Sequence, residues 1–390
     1  MTENAISQAS LAGHLADETP PVALRPTPLA SLLASTAKGP ELTAYRGALT
    51  PRELDAQERE TAALLSAVAV HDLGWLRRVA VRGEDRFRWL SGMVTNMVND
   101  LGTNSGAWNL VLNAQGRIQG DLHVWREDDA LTLEIAADQY DRLLAHLDRF
   151  IIMDDVELAS LSRDKNGDMT GETALGLTGP QAAGVLAKLD LPELCDSLTS
   201  TRVIWGNCEI RVIRSYGTLP PHYELWVQAD RVPGLWQALI DSGATAVGAA
   251  SLETLRIAEG IPVYGIDIAE RDLPQETSQM RALHFSKGCY LGQEIVERIR
   301  SRGSVHRHLR PLELIGPVPP AGTDLTLEGG AIAGQITSAA ELPLASGRRI
   351  FALGMIRSEA EIRTQSFNYI AEESTGTARI LSALPNFEAS

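Results

Sequence analysis

The chain has 390 residues but only three cysteines, Cys195, Cys208 and Cys289. They are widely spaced, no Cys-x-x-Cys pair occurs, and an odd number argues against a disulfide framework. This usage is typical of free thiols in a reducing compartment, so we predict a cytoplasmic protein. Three cysteines at these separations could not alone supply the four ligands of an iron–sulfur cluster.

Long hydrophobic runs are also missing. No apolar run reaches the ~18 residues that a membrane span needs. The N-terminal residues do not combine a basic segment with an apolar one, as a secretory signal does. We therefore expect no membrane partner.

Positive charge and metal-binding motifs are scarce. The formal net charge is −15, whereas a nucleic-acid-binding surface needs clustered lysine and arginine. Nucleic acid is therefore not expected as a partner of the surface as a whole. No His-Glu-x-x-His motif, close Cys/His cluster or Walker A loop occurs, so no metal site is predicted.

The pattern along the chain predicts three parts. Residues 1–42 are rich in Ala, Ser, Thr and Pro, which is typical of a flexible extension. Residues 43–308 mix strands and helices without regular βαβ alternation, which favours an α+β fold over a doubly wound parallel sheet. Residues 309–390 contain short strands and turns, which predict a small β-barrel.

The first half of the chain carries two predicted helices and a hairpin. Residues 51–73 predict a helix with Thr50 as N-cap, and residues 83–101 predict another. A hairpin is predicted around residues 113–116. Asp121 follows it, on one strand face with His123 and Trp125; this face is either solvated or part of a site.

Two further candidates lie in the second half. In HYELWVQ, Glu224 and Trp226 share a strand face, where a carboxylate beside an indole could hold a flat heterocycle or form an exposed patch. A helix with Ser251 as N-cap places Arg256 three residues before Glu259. This arginine forms either an intrahelical ion pair or an anion site.

The stretch KGCYLGQEIVERIRSRG contains the third cysteine. Cys289 lies two residues after Lys287 and just before a predicted helix, an environment that stabilises a thiolate. The alternative is a buried structural cysteine. Glu294 and Arg298 are spaced to pair along the helix.

Several segments together resemble the folate-binding superfamily of the glycine-cleavage T-protein (aminomethyltransferase). They are GEDRFRWLSGMVTNMV, NAQGRIQGDLHVW, TLRIAEGIPVYGIDI, and GQITSAAELP followed by RRIFALGMIR. The resemblance implies a ring in which a folate-binding domain and a ferredoxin-like subdomain, interleaved over residues 43–308, surround a channel. A C-terminal β-barrel completes the ring.

KGCYLGQEIVER resembles the K-G-C-[FY]-x-G-Q-E-x-x-x-R signature of the YgfZ branch, which is implicated in iron–sulfur protein maturation or repair. The resemblance implies that Cys289 is the functional thiol and that iron–sulfur client or assembly proteins are partners. The signature residues are Lys287, Gly288, Cys289, Tyr290, Gly292, Gln293, Glu294 and Arg298.

The superfamily resemblance also implies a cofactor, tetrahydrofolate or a one-carbon derivative of it. Glu224 matches the carboxylate that meets the pterin edge, and Arg256 matches the arginine of the RxExG segment. The folate contacts predicted in this way are Asp121, Glu224, Trp226, Arg256 and Tyr264.

Asp121 leaves the reaction open. The T-protein carries two carboxylates in its hairpin and uses an aspartate to place the amine of its substrate, whereas this chain has Gly120 and Asp121. Three functions follow: an iron–sulfur maturation factor that acts through Cys289, a folate-dependent aminomethyl- or methyltransferase that uses Asp121 on a methylamine-type donor, or a non-catalytic folate-binding adaptor.

Overall fold

A computed structural model describes residues 24–36, 39–128, 130–164, 166–383, 385 and 387. The α-helices in these residues are α1 (Pro28–Ala34), α2 (Gln57–Ser66), α3 (Arg86–Met93), α4 (Ala137–Asp148), α5 (Ala182–Lys188), α6 (Val232–Asp241), α7 (Ala249–Ala258), α8 (Gln293–Arg302) and α9 (Ser358–Arg363). The strands are β1 (Leu42–Tyr45), β2 (Ala48–Pro51), β3 (Ala69–Asp72), β4 (Leu76–Arg82), β5 (Ser105–Leu112), β6 (Ile118–Glu127), β7 (Ala130–Ala136), β8 (Glu157–Ser160), β9 (Glu172–Thr178), β10 (Thr199–Trp205), β11 (Cys208–Ser215), β12 (His222–Gln228), β13 (Thr245–Val247), β14 (Arg307–Ile315), β15 (Asp324–Thr326), β16 (Ile332–Leu344), β17 (Gly347–Arg357), β18 (Ser366–Ala371) and β19 (Ser374–Ile380).

An eleven-stranded sheet forms the centre of the described residues. Its strand order is β13-β3-β9-β12-β11-β10-β5-β6-β7-β4-β8. Strands β3 and β13 are parallel, whereas the other neighbouring pairs are antiparallel. Strands β3, β9 and β12 are buried along nearly all their length, so both faces of this part of the sheet are covered.

Helices cover one face of each half of this sheet. In one half, α5 and α6 pack on Leu177, Leu225 and their neighbours. In the other half, α3 and α4 pack on the apolar side chains of β4, β6 and β7. The opposite faces of the two halves meet around Trp125 and Trp226, and the polar residues of β6 and β12 lie on this inner side.

The C-terminal strands close into a barrel. Its order is β14-β17-β16-β15-β18-β19, and β14 pairs with both β17 and β19. Closure removes the unpaired sheet edges. The barrel interior is filled by side chains that include Leu312, Ile336 and Phe367.

Several predicted elements are confirmed. The hairpin joins β5 to β6, with Gly116 at a positive φ of 70° in the turn. The predicted barrel is also present.

The predicted helix over 51–73 is wrong at both ends. Helix α2 covers only Gln57–Ser66, because Thr50 and Pro51 belong to β2 and residues 69–72 form β3. Strand β3 lies between β13 and β9 inside the sheet. Its long-range pairing therefore overrides the helical pattern of the neighbouring sequence.

Two other local predictions also need correction. The helix predicted over 83–101 is the shorter α3. Helix α7 has Gly248 as its N-cap, while the hydroxyl of Ser251, one turn inside, donates to Glu60 at 2.6 Å.

Part of the predicted extension is ordered and packed. Residues 24–36 contain α1, whose Leu29 is buried in the core of the sheet. Residues 1–23, 37 and 38 of that extension lie outside the described residues. The division of the chain at 42 and 308 stays a prediction.

One buried ion pair ties the sheet domain to the barrel. Arg256 on α7 donates to Asp267 at 2.7 Å, and Asp267 also accepts hydrogen bonds of 2.6 Å from Thr337 and Ser338 on β16. Arg256 pairs with Glu253 rather than with the predicted Glu259. Its guanidinium is thus held by the protein on several sides.

We predict that Arg256→Met lowers the free energy of unfolding by about 3–5 kcal/mol, because it leaves the buried Asp267 carboxylate without its cation. Urea unfolding measures this change. Arg348→Met is the control, because Arg348 is 69% exposed and pairs with Glu341. This substitution should change the free energy of unfolding by no more than about 0.5 kcal/mol. Equal, small losses in both variants would contradict a connecting role for Arg256.

Candidate functional site

A cavity of about 190 Å³ opens on the inner face of the sheet. Its walls include the aromatic rings of Trp75, Trp108 and Tyr216. Strand pairing explains the shared face: Glu224 and His71 are the two cross-strand neighbours of Gly176 on β9. Directly opposed residues of neighbouring strands point to the same face.

Three acids lie in this cavity, and each accepts a hydrogen bond from an indole N–H. Trp108 donates to Asp121 at 2.9 Å, Trp125 to Glu134 at 3.1 Å, and Trp226 to Glu224 at 2.9 Å. Asp121, Glu134 and Glu224 all line the cavity. An indole is a donor only, so each pairing leaves acceptor positions on the carboxyl group for a ligand.

Asp121 is fixed by a second residue. Gln139 on α4 donates to Asp121 Oδ1 at 2.9 Å and accepts from the backbone N–H of Asp121 at 3.0 Å. The predicted strand face lines the cavity: Asp121 and His123 both border it, and His123 stacks on Trp125 with 6.2 Å between ring centres.

Glu134 and Glu224 form a buried carboxyl pair. Burial raises the pKa of Glu134 well above its usual 4.5, and the neighbouring Glu224 raises it further. Burial also raises the pKa of Glu224, while the hydrogen bond from Trp226 opposes the shift. Two adjacent buried carboxyls cannot both ionise cheaply, so the pair favours a state in which one proton is shared.

The imidazole of His123 also lines the cavity. Burial, aided by Arg281, lowers the pKa of His123 to about 4. His123 is therefore neutral at physiological pH, with its Nδ1 3.5 Å from Glu134 Oε1. A neutral imidazole can accept or donate a proton within the site.

The structure places the other predicted folate contacts outside the cavity lining. Trp226 is buried, and the guanidinium of Arg78 lies 5.2 Å from its ring. Tyr264 contacts Ile118 and Arg142, and Arg256 is held in the ion pairs described above. We infer that Trp226 orients Glu224, whereas ligand contact by Tyr264 and Arg256 stays a prediction.

Cys289 is exposed and does not line the cavity. The structure contradicts two expectations about its surroundings. Helix α8 begins at Gln293 with Gly292 as N-cap, so the thiol does not lie at the helix N-terminus. Lys287, expected beside a thiolate, is buried and points its ammonium group inward.

Lys287 instead binds the end of α3. Its Nζ donates to the carbonyl oxygens of Ser91, Val94 and Asn96 at 2.9, 2.5 and 2.7 Å. A cation at a helix C-terminus satisfies carbonyls that have no intrahelical partner. Burial lowers the pKa of Lys287 to about 7, and the three carbonyls oppose that shift because they bind the protonated form.

The loop that carries Cys289 is fixed on both sides. Lys287 and Tyr290 are buried, while Gly288 and Cys289 between them are exposed. Gly292 has a φ of 81°, and a Cβ at this position would lie 2.6 Å from the carbonyl oxygen of Asn113. The KGCYLG stretch thus presents a thiol at the surface from a loop packed on α3 and on the hairpin turn.

The remaining signature residues have local roles. The side chain of Gln293 accepts from the backbone N–H of Tyr290 at 3.3 Å. Glu294 and Arg298 are exposed, and the ion pair on this helix joins Arg300 to Glu297 at 3.3 Å. Val296 on α8 is fully buried and packs in a core cluster with Leu112 and Tyr290.

Glu134 and Arg281 are site residues that sequence reasoning missed. Glu134 had a readable signal: LTLEIA places one acid in an otherwise apolar strand, as HYELWV does for Glu224. Such an acid must be paired or functional when the strand is buried. Arg281 had no such signal, because its partners come from distant segments.

Among the described residues, no cluster of three or more His, Cys, Asp or Glu side chains could hold a metal ion. Likewise, no helix in the described part of the chain is long and apolar enough to span a membrane.

A family model described as the GCVT N-terminal domain matches residues 37–287. The chain belongs to the GCVT N-terminal domain family. The matched segment contains Asp121, Glu134 and Glu224 and ends two residues before Cys289. The cavity therefore lies within the GCVT domain, whereas the exposed cysteine follows it.

Individual relatives agree with this assignment. The chain is 28% identical over 365 residues to an aminomethyltransferase of Rubrobacter xylanophilus, covering 92% of this chain and 93% of that protein. It is 25% identical over 299 residues to a putative chloroplastic transferase of Arabidopsis thaliana, covering 76% of this chain and 66% of that protein.

A solved structure shows the same fold. The glycine cleavage system aminomethyltransferase T from Bartonella henselae superposes with a TM-score of 0.81 at 20% identity, covering 92% of this chain and 97% of that one. The predicted α+β fold with a C-terminal β-barrel is confirmed.

We predict that the stability of the GCVT domain falls with rising pH on account of the carboxyl pair. Because the pKa of Glu134 is raised, the folded state binds more protons than the unfolded state above pH 4.5. Stability is therefore lost as pH rises through the folded pKa. Glu134→Gln removes this loss, so wild type should fall relative to the variant by up to about 1.4 kcal/mol per pH unit.

Urea unfolding at a series of pH values above 4.5 tests this expectation. Glu209→Gln is the matched control, since Glu209 is 56% exposed. Its profile should run parallel to that of wild type. A parallel profile for Glu134→Gln would instead contradict a shared proton.

Proposed function

We propose that this chain binds tetrahydrofolate or a one-carbon derivative in the cavity, and that its exposed Cys289 acts on a partner during iron–sulfur cluster assembly or repair. One observation carries the proposal: Asp121 and Glu224 line a single aromatic-walled cavity, whereas the thiol lies at the surface outside that lining. The proposed ligand site and the thiol thus lie at different places in the molecule.

The donor set of the cavity fits a reduced pterin. The ring has a flat face and an edge rich in N–H donors, and the cavity offers aromatic walls and three carboxyl groups that accept hydrogen bonds. Glu224 is the best placed to meet that edge, because Trp226 orients it and occupies only Oε2. A bound folate would supply a nitrogen that carries a one-carbon unit.

The carboxyl pair assists such binding. A ligand N–H that bonds to Glu224 favours the ionised form of that carboxyl. The shared proton then stays on Glu134, which keeps its hydrogen bond from Trp125. Charge on the pair is thus adjusted without exposing the site to water.

The surroundings of Cys289 favour a partner-directed role. Its neighbours Lys287 and Tyr290 are anchored inside the protein, so the thiol is presented from a fixed loop. The sequence of this loop resembles the YgfZ signature, and proteins of that branch are implicated in iron–sulfur maturation or repair. A surface thiol can meet sulfur, iron or a cluster held by another protein, whereas a thiol in the cavity could not.

A transferase is the second candidate. Asp121 lies in the cavity with its orientation fixed by Trp108 and Gln139, and relatives of this chain are named aminomethyltransferases. In this alternative, Asp121 orients the amine of a methylamine-type donor, and positioning supplies most of the rate. A folate-binding adaptor without turnover is the third reading.

We predict that wild type binds tetrahydrofolate in calorimetric titration and that Glu224→Gln lowers the affinity by about tenfold or more, because an amide replaces the accepting carboxylate. Glu209→Gln, an exposed and isosteric change, should bind as wild type does. Absence of binding by wild type would contradict the folate part of the proposal.

We predict that Cys289→Ser lowers the activity of iron–sulfur enzymes in cells that depend on this protein, because an alcohol cannot replace a thiolate as nucleophile or ligand. Cys195→Ser is the matched control, since Cys195 is also exposed. Folate binding should be unchanged in both variants.

Full iron–sulfur activity with Cys289→Ser would contradict the role of the thiol. The transferase alternative predicts a different pattern: methylene-tetrahydrofolate formation from a methylamine donor, lost in Asp121→Asn and retained in Cys289→Ser. The adaptor predicts folate binding without turnover and tolerance of both substitutions.

A further inference from the structure

A second cavity of about 340 Å³ adjoins the first. Three residues line both cavities: Tyr216, Ile261 and Arg281. Small-molecule sites usually measure ~300–1,000 Å³, so the first cavity of about 190 Å³ is small for a whole cofactor. The two cavities together reach the usual range, with Arg281 at their boundary.

Arg281 lies over two aromatic rings. Its guanidinium carbon lies 4.4 Å from the ring centre of Trp108 and 3.6 Å from that of Tyr216. Its Nε donates to Gln279 at 3.2 Å. A guanidinium that contacts aromatic rings can still use the N–H donors in its own plane for hydrogen bonds.

The terminal nitrogens of Arg281 are free within the described residues. They make no hydrogen bond to a residue in the described part of the chain, and no carboxylate there lies within 4.0 Å of Arg281. These nitrogens are not fully buried, so they are accessible from the cavities. Burial lowers the pKa of Arg281 only to about 10, which leaves it charged at neutral pH.

Other charges near this boundary already have partners. Glu259 in the second cavity accepts from the backbone N–H groups of Thr218 and Leu219 and lies 3.0 Å from His222 Nε2. Arg310 in the same cavity pairs with Glu361 at 2.8 Å. Arg46, in the wall of the first cavity, lies 3.5 Å from the Asp138 carboxylate. Among the described residues, Arg281 is therefore the arginine at the boundary of the two cavities that has no carboxylate partner.

We infer that Arg281 binds a carboxylate group of the ligand at the boundary between the two cavities. A planar guanidinium held by stacking presents two parallel N–H donors, which match the two oxygens of a carboxylate. The inference rests on the proposed folate function only for the identity of the ligand.

Two carboxylates could fill this position. One is the glutamate tail of tetrahydrofolate, reaching the second cavity while the reduced ring occupies the first. The other is the carboxylate of a separate N-methylated amino acid bound beside the folate. Both use the same chemistry at Arg281, and different ligands separate them.

Calorimetric titration of the full chain with three probes tests the inference. They are tetrahydrofolate, a methylated tetrahydropterin without the glutamate tail, and N-methylglycine added to protein saturated with that pterin. We predict that Arg281→Met weakens tetrahydrofolate binding by about tenfold or more and changes binding of the tail-free pterin less than about twofold. If Arg281→Met weakened the binding of N-methylglycine alone, the result would support the inference and identify the separate amino acid as the source of the carboxylate.

Two further variants serve as controls for Arg281→Met. Arg300→Met removes an arginine that lies 4.5 Å from the ring of Phe285, outside both cavities, and should bind all probes as wild type does. Arg281→Lys keeps the charge but loses the planar fork, so it should fall between wild type and Arg281→Met. It also replaces Arg281→Met if that variant does not fold.

Several results would overturn the inference. Unchanged binding of every probe by Arg281→Met would remove Arg281 from ligand recognition. An equal loss for tetrahydrofolate and the tail-free pterin would show that Arg281 supports the ring cavity rather than a carboxylate. If wild type bound neither pterin, the result would count against the proposed folate function. This outcome differs from a failure of the inference about Arg281, in which wild type binds and only the effect of the substitution is missing.

Discussion

The pairing of indole N–H groups with buried acids is the interaction on which the cavity depends. A carboxyl group removed from water needs a partner, or it destabilises the fold. Trp125 and Trp226 provide that partner for the buried Glu134 and Glu224, and Trp108 provides it for the half-buried Asp121. Because each indole gives one proton and accepts none, the acids are oriented but not saturated.

The same arrangement contributes to packing between the two halves of the sheet. Two sheet halves carry the acids, and helices cover only the outer face of each. The inner faces meet at a cluster that contains Trp125 and Trp226. The same rings that hold Glu134 and Glu224 therefore also provide apolar packing between the halves, so a loss of packing would disturb the acids as well.

Local patterns in the sequence predicted the parts of the site that lie within one strand or hairpin. Alternation placed Asp121 with His123, and Glu224 with Trp226, because the side chains of a strand have a period of two. The α+β class and the C-terminal barrel followed from the absence of βαβ alternation and from the short strands after residue 310. These features depend on neighbours in sequence.

What the sequence could not predict depends on distant neighbours. The sequence pattern predicts a helix where β3 lies, because the place of β3 between β13 and β9 is set by residues far along the chain. Arg281 meets Trp108 and Tyr216 only in the folded chain. Lys287 was expected beside Cys289, but α3 supplies three carbonyls that draw its ammonium inward.

The chemistry of that lysine explains why the signature stretch needs it. The chain contains four lysines among 35 basic residues, so arginine is its usual cation. Three carbonyl oxygens around one nitrogen require a compact group with three donors, which an ammonium provides and a planar guanidinium does not. Lys287 is therefore a structural anchor, whereas Cys289, two residues further along, is exposed.

The separation of the thiol from the cavity constrains every mechanism for this protein. A reaction that needs Cys289 and a cavity-bound one-carbon unit in direct contact would require the loop to leave both α3 and the hairpin turn, where Lys287 and Gly292 hold it. Breaking three charge-assisted hydrogen bonds at once makes that movement costly. The structure is therefore consistent with the proposal that a ligand in the cavity and the thiol on the surface serve different steps. The hairpin carries Asp121 on one strand and packs against the cysteine loop at its turn.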